Sequence, residues 1–140
     1  MLRIVIDTSV LVAALRSRRG AAFRLLSLVG SNAFDHCLST PLLFEYEAVM
    51  KRPGGVIRMT PEQTEPILDY LCATAHRQRI HFLWRPFLRD PADDMVLELA
   101  VAGSCDAIVT YNLRDFEGIG RFGIRAMTPQ QVLARLRSKP

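Results

Sequence analysis

The chain has 140 residues, 49% of them hydrophobic and 23% charged, with a formal net charge of +4. This length accommodates one domain with a real core and hardly two, and the composition is that of an ordinary folded protein. No apolar run reaches the ~20 residues of a membrane span, and no basic segment precedes a cleavable apolar one, so neither an anchor nor a signal peptide is expected.

Arg3 to Ile6 is a short β-branched run, long enough for a buried strand. Asp7, Thr8 and Ser9 follow at once, then an apolar helical segment to Leu15 and the basic loop Arg16-Ser17-Arg18-Arg19-Gly20. A helix is predicted over 21–29, ended by Gly30, and a second strand over 34–38. Thr40-Pro41 starts a helix to about Lys51, with the Thr40 hydroxyl as its cap, and Arg52-Pro53-Gly54-Gly55 breaks it. Thr60-Pro61-Glu62-Gln63 is a capping box opening a helix to about Arg77, which Pro66 either kinks or restarts. The third strand is predicted over 80–84. A helix from Asp90-Pro91 to Gly103, strands over 107–110 and 123–127, and a closing helix from Thr128-Pro129-Gln130-Gln131 complete the chain. No repeat or linker interrupts the series, so 1–140 reads as a single domain.

Strands alternating with helices predict an α/β fold with a mainly parallel sheet and helices on both faces. Right-handed crossovers then bring the end of every strand and the start of every following helix to one edge. In open α/β folds, ligands bind there. Asp7 sits at such a junction, and since Thr8 or Ser9 could cap the next helix equally well, Asp7 is read as functional. Glu45 shares a helical stripe with Leu42, Tyr46 and Val49, a costly place for an acid unless it is paired or holds a cation. Glu47 points away from that stripe.

Asp93 shares a face with Val96, Leu97 and Ala100, while Asp94 groups with Glu98 on a more exposed flank. All of Asp90, Asp93 and Asp94 also suit a helix N-terminus, and Asp90 is read as the cap. Asp115 follows the fourth strand beside Thr110 and Asn112, where an Asx-type turn is the bland alternative.

Four acids from four junctions repel unless a cation neutralises them, and an all-oxygen set suits Mg²⁺ or Mn²⁺ rather than zinc. His36, His76 and His81 lack ligand spacing and read as surface or satisfied histidines. Cys37, Cys72 and Cys105 are odd in number without C-x-x-C spacing, which fits small buried thiols in a reducing cytoplasm. Sixteen of the 18 basic residues are arginine, whose planar fork suits phosphate, although genome composition produces the same bias. Tyr46, Trp84, Phe87 and Phe116 read as packing residues, with base stacking as the alternative.

At this point the chain resembles the PIN-domain ribonucleases. Ile-Val-Ile-Asp7-Thr-Ser is similar to that family's first motif and Ser39-Thr-Pro-Leu-Leu-Phe-Glu45 to its second. Asp90-Pro-Ala-Asp93-Asp resembles the third, and Asp106-Ala-Ile-Val-Thr110-Tyr-Asn112-Leu-Arg-Asp115 the fourth. The resemblance implies a three-layer α/β/α sandwich with a five-stranded parallel sheet. It also implies cleavage of RNA with Mg²⁺ or Mn²⁺, frequently by a homodimer. Chains this short are most similar to VapC-type toxins, which a small antitoxin holds inactive.

On this reading Asp7, Glu45 and Asp93 hold one ion, directly or through waters, and Asp115 binds a second or orients the attacking water. Thr8, Thr110 and Asn112 support them by hydrogen bonding. Arg16, Arg18, Arg19, Arg89 and Arg114 are the candidates for flanking phosphates. Many family members carry an acid two residues after the threonine, where this chain has Asn112, which leaves one metal or two open. It also keeps a second reading in play, a PIN-like module that binds RNA or protein without cleaving. A haloacid-dehalogenase-like phosphatase would need a second Asp where Ser9 stands.

Overall fold

The structure is a computed structural model and describes residues 1–79 and 87–138. Its strands are β1 (Arg3–Ile6), β2 (Asp35–Leu38), β3 (His76–Arg77), β4 (Ala107–Val109) and β5 (Arg125–Met127). The helices are α1 (Thr8–Arg16), α2 (Ala21–Ser27), α3 (Thr40–Lys51), α4 (Pro61–Thr74), α5 (Pro91–Ala102) and α6 (Pro129–Arg137). All strand pairs are parallel, in the order β3-β2-β1-β4-β5. The chain lays strands outward from β1 in one direction, then crosses back to build β4 and β5 on its other side. The order therefore reverses between β1 and β4, and their carboxyl ends flank a crevice.

Consecutive residues Ile4, Val5 and Ile6 are all buried, as are Ala107, Ile108 and Val109. Successive side chains of a strand point to opposite faces, so such runs require cover on both sides of the sheet. Helix α5 packs on β1, β2 and β4, while α1, α2, α3 and α4 pack along one another and α6 docks on α2. The result is an α/β/α sandwich, as the alternating pattern predicts.

Local chemistry sets most boundaries. Thr60 and Thr128 each form a full capping box, with Gln63 and Gln131 respectively. Helix α3 differs from expectation: its cap is the Ser39 hydroxyl, which accepts from the Leu42 N–H, and Thr40 is already helical. Helix α4 passes through Pro66 without ending and stops at Thr74, three residues short of the predicted Arg77. There Ala75 turns extended and His76 and Arg77 pair with Cys37 and Leu38, so sheet formation overrides helical pattern. The predicted strand over 80–84 lies outside the described residues, as do His81 and Trp84.

Glu98 lies buried in α5 rather than on an exposed flank. Of the alternatives for His36, surface or satisfied, the structure gives a buried ring on β2 that is satisfied at Nε2, by Thr74, and not at Nδ1 among the described residues. Among the described residues no helix is long and apolar enough to cross a membrane.

Candidate active site

The crevice between β1 and β4 is closed at its base by backbone and roofed by hydroxyls. The Asp7 N–H donates to the Val109 carbonyl at 2.9 Å. Asp7 opens α1 without using its side chain as a cap. Instead, its Oδ2 accepts from Thr110 Oγ1 at 2.7 Å and from Ser9 Oγ at 2.9 Å. Each hydroxyl has one proton, and both protons go to Asp7. The hydroxyl oxygens are then free as acceptors, and they take the N–H groups of Asn112 (3.0 Å) and Tyr111 (3.1 Å). The loop after β4 is thereby tied to the carboxylate after β1, and Asp7 is fixed in one orientation while 6% exposed.

The Thr8 side chain makes no hydrogen bond among the described residues, and Asn112 contributes its backbone rather than its side chain. Ser9 is the support that sequence reasoning passed over. The Asp-Thr-Ser run contains the signal, but which hydroxyl faces the acid depends on the direction of the first helical turn.

The acids at the start of α5 have separate tasks. Asp90 Oδ1 caps the helix through the Ala92 N–H at 2.9 Å. Asp94 Oδ1 accepts from the N–H groups of Leu88 (2.8 Å) and Phe87 (3.2 Å), pinning the segment that enters the helix. Asp93, between them, is half-buried, and its carboxylate has no hydrogen-bond partner among the described residues. Burial, first, and then the charges of Asp7, Asp90, Asp115 and Asp94 push its carboxyl up to about 7. Near neutral pH this group is poised between holding a proton and holding a cation.

Asp115 stands on a 3-10 turn (Leu113–Phe116) anchored by the buried Phe116. With Asp93 it lines an open cavity of about 720 Å³, together with Arg89, Arg114 and Glu117. Among the described residues the ion pairs are Arg3 with Asp35 and Lys51 with Glu47. The guanidinium and carboxylate groups of this cavity thus face the same space without pairing. That arrangement leaves the acids available to a cation and the arginines to an anion.

Glu45 is half-buried at the flank of the stripe formed by Leu42, Tyr46 and Met50, the residues α3 buries. Its charge is not among those acting on Asp93. The neighbouring Tyr46 does reach the site. Its hydroxyl donates to the Ile6 carbonyl, at the end of β1, and burial and then the Asp7 charge push its pKa strongly upward.

Arg16, Arg18 and Arg19 lie exposed at the far end of α1, a rise of about 12 Å from Thr8 at 1.5 Å per residue. Arg89 and Arg114 line the cavity. Sequence reasoning missed Glu117 in its wall.

The donor set suits a hard divalent cation: carboxylates and hydroxyls, without thiol or imidazole. Among the described residues no three acids, imidazoles or thiols gather closely enough to surround one ion. Magnesium commonly takes one or two carboxylates and keeps water in its remaining positions, which the spacing here permits.

Comparison with known proteins bears on the same residues. Comparison with curated proteins gives no match. Among solved structures, the chain is similar to one described as the crystal structure of DNA-bound VapBC from Salmonella typhimurium. The identity is 19% and the TM-score 0.62, over 92% of this chain and 99% of that one. At that identity the likeness is one of fold. Comparison with protein families matches the PIN domain over residues 3–114, a span that contains Asp7, Glu45, Asp93, Thr110 and Asn112. The chain belongs to the PIN-domain family.

Proposed function

We propose that this chain is a divalent-metal-dependent endoribonuclease and the toxin of a toxin–antitoxin pair, with residues 1–140 acting as one PIN-like domain. The observation that carries the proposal is the crowding of Asp93 by Asp7 and Asp115, a set of like charges that form no ion pair among the described residues. Such crowding destabilises the fold unless a cation offsets it.

In this reading Asp7, Asp93 and Asp115 hold Mg²⁺ or Mn²⁺, in part through water, and Glu45 approaches from α3. When bound, the metal acidifies water and offsets charge on the scissile phosphate. Ser9 and Thr110 keep Asp7 turned toward the crevice. With a cation held, Asp93 would be ionised, its proton released to solvent, and Arg89 and Arg114 would take the phosphates flanking the cut. An antitoxin protein as partner is supported by the fold shared with a VapBC complex, and a homodimer by family membership.

Cleavage of a labelled tRNA by purified protein, with Mg²⁺, Mn²⁺ or EDTA, tests this beside Asp7→Ala. Metal-dependent cleavage that disappears in the variant is the expected outcome. No cleavage by folded protein over several metals and RNAs would favour binding without catalysis, the reading that Asn112 keeps in play.

A further inference from the structure

We propose that Arg121 and Phe122, backed by Phe87, form a stacking seat for one unpaired nucleobase at the mouth of the acidic cavity. Phe87 lines that cavity beside Arg89, Asp93 and Asp115. Its ring meets Phe122 edge to face, with centroids 5.2 Å apart and planes at 84°. The Arg121 guanidinium lies 5.4 Å from the Phe87 centroid and 5.7 Å from that of Phe122. Two rings therefore hold one cation, which among the described residues forms no ion pair, while Asp115 and Glu117 line the cavity with Phe87.

The loop that carries this group is shaped for it. Gly118 has φ +89°, and a Cβ there would come within 3.2 Å of the Phe87 ring. Backbone without a side chain is what lets the turn approach. Arg121 is exposed, and Phe122 remains 36% exposed. A planar cation beside an accessible ring is the surface on which unstacked bases settle, whatever their identity. A base already paired in a helix has no free face to offer, so the seat selects single-stranded segments. It is a positioning element: it holds the nucleotide beside the carboxylates and does no chemistry. The choice of RNA as ligand rests on the nuclease reading above; the seat itself rests on the ring and guanidinium geometry.

The test is fluorescence anisotropy in EDTA at low ionic strength. The probes are a labelled single-stranded RNA and an abasic oligoribonucleotide of equal length. Arg121→Lys keeps the charge and removes the plane, while Phe122→Leu keeps apolar volume and removes the ring. Each variant is expected to bind single-stranded RNA about tenfold more weakly and the abasic probe unchanged. Unaltered RNA binding by Arg121→Lys overturns the seat, as does absence of RNA binding by the unmodified protein. An equal loss on both probes also overturns it, since Arg121 would then be a phosphate contact. Arg121 is at the surface, so its lysine variant decides the matter even if Phe122→Leu fails to fold. The nuclease reading fails separately. Base-dependent binding without metal-dependent cleavage keeps the seat alone, whereas cleavage with unaltered binding in both variants keeps the nuclease alone.

Discussion

At the scale of single residues, the informative feature is that one oxygen of Asp7 receives two hydroxyl protons. A carboxylate so held cannot swing, and its other oxygen is presented in a constant direction. Ser9→Ala and Thr110→Val should each lower cleavage about 10–100-fold, the usual effect of losing a group that orients a metal ligand. Steady-state cleavage with RNA binding measured alongside checks this: kcat should fall, EDTA-state binding should not, and Thr110→Ser should restore activity. Three aspartates on the first turn of α5 illustrate how much could be read in advance. Their presence at a βα junction, and the capping role of Asp90, follow from local sequence. That Asp94 is occupied by the N–H groups of Phe87 and Leu88, while the Asp93 carboxylate has no partner among the described residues, depends on how the incoming segment folds back.

At the scale of elements, α3 is the brace of the site. Tyr46 places its hydroxyl on the last carbonyl of β1, immediately before Asp7, so the helix fixes the height of the strand end that carries Asp7. Tyr46→Phe should cost about 1–3 kcal/mol in urea unfolding, the penalty of an abandoned buried acceptor, and should reduce cleavage through displacement of Asp7. Unchanged stability and unchanged activity together would refute the bracing role. Capping boxes at Thr60 and Thr128 were legible because both partners lie within one turn. The end of α4 was not, because a pairing with β2 decides it, nor was the burial of Glu98, because a helical pattern alone assigns charge to the outside. Arg121 with Phe87 escaped notice for a similar reason: the contact joins two loops remote in sequence.

At the scale of the whole molecule, His36 couples stability to pH. Thr74 Oγ1 donates to the Tyr70 carbonyl, so His36 Nε2 is the donor to Thr74 at 3.0 Å, and the buried Nδ1 has no partner among the described residues. Burial lowers the pKa to about 4 against the opposing pull of Asp35. An unfolded chain takes up this proton below about 6.5, and the folded one only near 4. More protons are then bound in the unfolded state, so stability is complete above 6.5 and declines by about 3 kcal/mol as pH falls toward 4. Thermal unfolding across that range should show the decline, and His36→Gln should flatten it. A second whole-molecule property concerns time. The bond between Thr110 and Asp7 spans 103 positions, joining the end of β1 to the end of β4. During synthesis Asp7 emerges long before Thr110, with only the neighbouring Ser9 hydroxyl to hold it. The acidic pocket is therefore born late, when β4 slides in beside β1, and a product interrupted before β4 carries the acid without the site.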